Sequence, residues 1–194
     1  MSTGHVAPRR SWHPWVVFGL IGGGVIVLDQ ATKAWVEAGF TLASPSAPAG
    51  SPSAPTPVIG DLVRIALTWN DGGVFGLFGD SATILGLASL AVIGVILWVQ
   101  ATSGVRSPLL TVALGLLFGG AIGNLIDRLR FGHVIDWVDT GLGSLRFYTF
   151  NVADAAISIA VALLIAMSLL GPRLGRLVGA PARSTEPVAN GGHS

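Results

Sequence analysis

Asp136 and Asp154 are the two residues whose surroundings most clearly suggest chemistry. Each lies at the edge of an apolar segment, in Val134-Ile135-Asp136-Trp137 and in Phe150-Asn151-Val152-Ala153-Asp154, and neither has a cation beside it in sequence. An ionisable side chain costs roughly 2.5–3.5 kcal/mol at the centre of a membrane helix on insertion scales, so acids kept beside apolar segments point to use. Two carboxylates placed close together hold one proton between them. Such a pair suits peptide hydrolysis. The ionised member takes a proton from water, and the protonated member polarises the scissile carbonyl and later protonates the leaving amine. The plainer readings are a solvated loop acid, like Asp139, for Asp136 and a helix N-terminal cap for Asp154.

The elements that must position these acids are membrane helices. The chain has 194 residues, of which 51% are hydrophobic and only 11% charged, with a mean hydropathy of +0.69. Soluble domains carry about 25% charged residues. Four segments approach the roughly 20 apolar residues that a bilayer span requires: Trp15–Trp35, Ala82–Gln100, Leu109–Ile126 and Val152–Leu170. Trp12, Trp15, Trp35 and Trp98 mark their ends, as interfacial aromatics do. The first segment is longer than the apolar core of a cleavable leader and ends in Asp29 and Lys33, so it reads as a retained anchor despite Ala47-Pro48-Ala49 downstream. Arg9, Arg10, Arg106, Arg173, Arg176 and Arg183 fall on one side of the spans. The positive-inside rule then predicts cytoplasmic termini, with segments 36–81 and 127–151 facing outward.

This organisation predicts a cytoplasmic tail at 1–14, a four-helix membrane domain at 15–171 and a second cytoplasmic tail at 172–194. Residues 43–57 are a run of Pro, Ala, Ser, Gly and Thr and read as a flexible outward loop. Beyond it, Val58–Trp69 alternates Val63, Ile65 and Leu67 with Arg64, Ala66 and Thr68, the pattern of a strand. The turn Asn70-Asp71-Gly72-Gly73 follows.

Other polar groups gather at the same membrane edge. Asp29 and Lys33 stand one helical turn apart in the favourable acid-before-base order. That pair either eases the helix into the interface or serves a site. Gly115, Gly119 and Gly123 recur every four residues, which opens a face for close helix packing. Asn124, Asp127 and Arg128 end the same helix, and Asp127 beside Arg128 reads as an ion-paired structural acid.

Several chemistries are excluded. There is no cysteine, hence no thiolate nucleophile and no Cys-based metal site. No H-E-x-x-H helix or G-x-S-x-G elbow occurs, and His5, His13, His133 and His193 are scattered. The net charge of +1 gives no footprint for nucleic acid. A small proton or ion transporter subunit is the alternative, since intramembrane carboxylates also mark proton pathways. Transporters, however, favour midplane sites and inverted repeats, and no repeat is visible here.

Five motifs, in order, resemble those of the bacterial lipoprotein signal peptidases (signal peptidase II). They are Asp29-Gln30-Ala31-Thr32-Lys33, Asn70-Asp71-Gly72-Gly73-Val74-Phe75-Gly76, Gly120-Ala121-Ile122-Gly123-Asn124-Leu125-Ile126-Asp127-Arg128, Gly132-His133-Val134-Ile135-Asp136-Trp137 and Phe150-Asn151-Val152-Ala153-Asp154-Ala155. The resemblance covers roughly residues 15–171. It implies an all-α membrane protein of four transmembrane helices with a small extracytoplasmic β-cradle at 58–79, placed in the bacterial cytoplasmic membrane with the site near its outer face. It implies an aspartic endopeptidase that cuts diacylglyceryl-modified prolipoproteins just before the lipidated cysteine, in contact with membrane lipid and with no metal or organic cofactor. The catalytic pair falls on Asp136 and Asp154. Asp127 and Arg128 match a supporting ion pair, Asn124 and Asn151 match polar residues lining the site, and Asp29, Lys33, Asn70 and Gly120 match positions near substrate. Two departures are the 43–57 insertion and Gly73-Val74 where Ala-Ala is usual. Oligomeric state is left open.

Overall fold

The computed structural model describes residues 13–43, 54–70, 81–102 and 107–177. Residues 1–12 and 178–194 of the two tails, most of the Pro/Ala/Ser-rich loop, Arg106 and the turn motif beyond Asn70 lie outside the described residues, while residues 172–177 of the expected second tail continue a helix. Four helices are long and apolar enough to cross a membrane: α1 (Pro14–Gly39), α2 (Ser81–Thr102), α3 (Pro108–Phe131) and α4 (Val152–Leu177). Each runs somewhat beyond its sequence-predicted limits: α1 and α3 mainly past their polar C-terminal turns, α2 by one or two residues at each end, and α4 at its C-terminal end, from Leu170 to Leu177.

α3 is the central helix. In its most apolar window 56% of residues are buried within the protein, against 17–22% in the other three helices, and it packs on α1, α2 and α4. The glycine spacing explains the closeness. A Cβ on Gly119 would stand 2.6 Å from Val25 Cβ and 2.7 Å from the Gly22 carbonyl oxygen, so only glycine lets α1 lie this near. Ser107 caps the start of α3, its side chain accepting from the Leu110 N–H, with proline at the first helical position. Gly132 ends the helix in the left-handed region, φ +77°, and redirects the chain into a strand.

Four antiparallel strands form one sheet in the order β1-β2-β3-β4: β1 (Thr56–Ile59), β2 (Val63–Asn70), β3 (Val134–Leu142) and β4 (Leu145–Arg146). Thr56 and Pro57, expected in the loop, therefore begin a strand. The single strand expected over Val58–Trp69 is a hairpin that turns through Gly60 at φ +51°. β3 was not foreseen. Pairing with β2, Thr68 opposite Asp136 and Arg64 opposite Asp139, makes a strand of a segment whose two acids interrupt its apolar run. Asp139 is not solvated. It is 5% exposed, held at 2.6 Å by Arg64 and at 2.9 Å by Arg146. One face of the sheet packs Ile65, Leu67 and Ile135 on Val36 in the last turns of α1, with Phe40 and Trp137 at the margin. That contact fixes the sheet at the end of the helix bundle where α1 finishes.

Candidate active site

Asp136 and Asp154 come together through two asparagines. Asn151 Nδ2 donates to Asp136 Oδ1 at 2.7 Å and to Asn124 Oδ1 at 3.1 Å. Asn124 Nδ2 in turn donates to Asp154 Oδ1 at 2.7 Å. The second oxygen of Asp136 accepts from Asn70 Nδ2 at 2.9 Å. That of Asp154 accepts the Asn151 backbone N–H at 3.3 Å, while the Asp154 N–H donates back to Asn151 Oδ1 at 2.9 Å. This is a capping box at the start of α4. The capping role is thus real, but it occupies only one oxygen of Asp154.

The two acids differ in setting. Asp136 sits on a strand and is 2% exposed, whereas Asp154 is half-buried in the first turn of a helix. Burial pushes the Asp136 carboxyl up to about 6, with the nearby Asp154 charge adding to the rise. Hydrogen bonds from Asn70 and Asn151 and the charge of Lys33 oppose it. Among the described residues no Lys or Arg forms an ion pair with either acid.

A second pair of carboxylates lies behind the first. Lys33 Nζ is 2.8 Å from Asp29 and 2.6 Å from Asp127, and all three side chains are almost wholly buried. Lys33 also donates to Asn124 Oδ1 at 3.1 Å, which fixes that amide with its NH₂ towards Asp154. Both acids also hold backbone, Asp29 through its second oxygen and Asp127 through the same Oδ2 that meets Lys33. Asp29 Oδ1 accepts the Ala153 N–H at 2.9 Å, and Asp127 Oδ2 accepts the Ile135 N–H at 3.1 Å. Each structural acid therefore grips the backbone N–H of the residue just before a candidate catalytic aspartate. Gln30 ties the cluster, donating to Asp127 Oδ1 at 2.9 Å, to Asp29 Oδ2 at 3.2 Å and to the Gly123 carbonyl at 3.2 Å.

Two glycines make room for this. A Cβ on Gly123 would lie 2.7 Å from Asp29 Oδ2, and one on Gly120 would lie 2.6 Å from the Ala153 carbonyl oxygen. An apolar groove of about 320 Å³ between α2, α3 and α4 opens onto Asn124 and Arg128, with Ala88, Ser89, Ala121 and Ile157 among its walls. No group of three or more His, Asp or Glu side chains that could hold a metal ion occurs among the described residues.

A family model described as signal peptidase (SPase) II matches residues 21–170. The chain belongs to the signal peptidase II family. It is 38% identical over 162 residues to a lipoprotein signal peptidase of Caulobacter vibrioides, covering 80% of this chain and 88% of that protein. It is 39% identical over 166 residues to one of Rhodopseudomonas palustris, covering 80% and 94%. A solved bacterial membrane enzyme, determined by the in meso method at 1.9 Å resolution, superposes with a TM-score of 0.70 at 27% identity, over 80% of this chain and 93% of that one. A second, determined the same way at 2.3 Å resolution, gives 0.68 at 26% identity, over 81% and 90%. Membership of a peptidase family leaves the transporter-subunit reading without support.

Within this signal peptidase II fold, the residues singled out in the sequence converge on one region, with two changes of role. Asp127 does not pair with Arg128 but with Lys33. Consecutive helical residues point in different directions, and the Arg128 guanidinium instead donates to the Asn124 carbonyl at 3.2 Å, facing the groove. Asp29, Lys33 and Gly120 are buried in helix packing, so they reach any substrate only through the groups they position. Sequence reasoning missed Gln30 as a participant. Its only signal was its place inside the Asp29–Lys33 motif.

Proposed function

We propose that this family member is an aspartic endopeptidase that removes the signal peptide from diacylglyceryl-modified prolipoproteins, cutting just before the lipid-carrying cysteine. The observation that carries the catalytic reading is the Asn124–Asn151 amide bridge, which joins Asp136 and Asp154 with no ion-paired cation among the described residues. Neutral donors leave the pair free to share a proton, and an ammonium would not. Asp136, the more deeply buried member, holds that proton and donates it towards the scissile carbonyl oxygen. Asp154 takes a proton from the attacking water. Collapse of the tetrahedral intermediate breaks the C–N bond, Asp136 passes its proton to the leaving amine, and the proton gained by Asp154 leaves the pair again with one proton.

The apolar groove beside Asn124 and Arg128 suits a signal helix, and the substrate's lipid would fix the register of the scissile bond. The basic residues flanking the spans support cytoplasmic termini and a site at the outer face of the bacterial cytoplasmic membrane, among membrane lipids. The test is cleavage of a purified diacylglyceryl-modified prolipoprotein in liposomes, beside the same substrate without lipid. Cutting of the lipidated form alone is expected. Equal cutting of both forms would remove the lipid from the account, and no cutting by folded protein would remove the substrate.

A further inference from the structure

Large apolar side chains stand exposed along all four helices, where lipid surrounds a membrane protein. The same class recurs on the sheet, far along the strands from Asp136. Ile59 and Leu62 flank the β1–β2 turn, 61% and 49% exposed, and Leu142 and Leu145 flank the β3–β4 turn, 66% and 82% exposed. The two turns are joined. The Gly143 N–H donates to Asp61 Oδ2 at 2.6 Å, Arg146 Nη1 to the Asp61 carbonyl at 2.6 Å, and the Gly141 N–H to the Leu62 carbonyl at 3.0 Å. They therefore form one edge on which four large apolar side chains stand exposed, and exposed apolar surface of this kind marks a contact.

The charges behind this edge cancel. Arg64 and Arg146 both grip Asp139, and both also reach Asp61 Oδ1, at 3.2 and 3.3 Å. Two acids and two bases, mutually paired, leave no net charge to hold the edge in water. Its depth follows from α1. A 26-residue helix is about 39 Å long at 1.5 Å per residue, while the hydrocarbon core is about 30 Å thick. The last turns of α1 thus lie among headgroups, and the sheet packs on those turns through Val36 and Phe40.

We propose that the joined β1–β2 and β3–β4 turns insert Ile59, Leu62, Leu142 and Leu145 into the lipid of the bilayer that the helices span. The sheet is then held at two points, on the helix bundle at one end and on lipid at the other. That arrangement steadies β3, the strand that carries Asp136.

The absence of any native cysteine makes the test direct. Leu142→Cys and, separately, Leu145→Cys in the full chain are labelled with a polarity-sensitive fluorophore and reconstituted in phosphatidylcholine liposomes. Leu87→Cys on the exposed face of α2 is the lipid reference, and the free dye–thiol adduct is the water reference. Insertion predicts blue-shifted emission at both turn positions, quenched several-fold more by doxyl-labelled lipid than by aqueous iodide. Emission matching the water reference, with iodide the stronger quencher, overturns the proposal. Self-quenching that grows with the protein-to-lipid ratio, without quenching by doxyl lipid, also overturns it and assigns the patch to a second copy. None of these readouts depends on peptidase activity.

Discussion

Two pairs of carboxylates lie side by side in this molecule and are treated in opposite ways. Asp29 and Asp127 share the Lys33 ammonium, are buried, and each also accepts a backbone N–H. Among the described residues, Asp136 and Asp154 accept only from asparagine amides and one backbone N–H. A paired cation fixes an acid as a permanent anion, which suits a structural clamp. Neutral donors orient an acid while leaving its proton free to move. The comparison separates positioning from chemistry among four acids that sequence alone presents as alike.

The largest effect expected from disturbing this arrangement comes from Lys33→Met. It strands two buried carboxylates, and breaking a buried pair by removing one partner typically costs about 3–5 kcal/mol. The variant should lose folded protein, measured as the fraction that stays monodisperse on heating, and full stability would show that the clamp is not needed. The catalytic side offers an opposite response. Burial raises Asp136 from the ordinary 3.8 to about 6, so the folded state binds that proton more tightly than the unfolded chain, an effect of about 3 kcal/mol. This stabilisation is complete below the unfolded value and is lost as pH rises through about 6. Wild-type Tm should therefore fall between about pH 4 and pH 7 more than that of Asp136→Asn, which has no such proton to lose. Parallel pH profiles for the two proteins would refute it.

Smaller changes sharpen the comparison. Gly120→Ala places a methyl against the Ala153 carbonyl, one residue before Asp154. Overpacking of this kind costs about 1–3 kcal/mol, and here it should also move the start of α4 and lower kcat more than it raises KM. A change in KM alone would detach Gly120 from the chemistry. Asn70→Ala is the mildest. It removes a hydrogen bond that lowers the Asp136 pKa, so the alkaline limb of kcat/KM should shift to higher pH. A downward shift would contradict the assignment of the proton to Asp136.

The helices were legible because about 20 apolar residues with aromatic ends admit few other readings. The motif residues were legible as a group, since polar residues at one membrane edge need a shared reason. Pairings across the chain were not. Asp139 meets Arg146, seven residues on, and Arg64, 75 residues back, only once β2 and β3 align. Asp29 caps a helix that begins more than a hundred residues later, through Ala153. The expected Asp127–Arg128 pair shows the same limit, because adjacency in sequence misleads wherever a helix turns neighbours apart. β3 was obscured by its acids, which read as loop until partners were supplied from elsewhere.

The central claim is that the acids without a paired cation do the chemistry and those clamped by Lys33 do the positioning. Its most direct test is the rate of lipoprotein cleavage by Asp136→Asn and Asp154→Asn, with Tm measured on the same preparations. General acid–base groups contribute about 10²–10⁴-fold each. The account predicts loss of at least that size in both variants, with Tm at neutral pH no lower than wild type for Asp136→Asn. Cleavage within tenfold of wild type by either variant would contradict it and return the chemistry to Asp127 or Asp29.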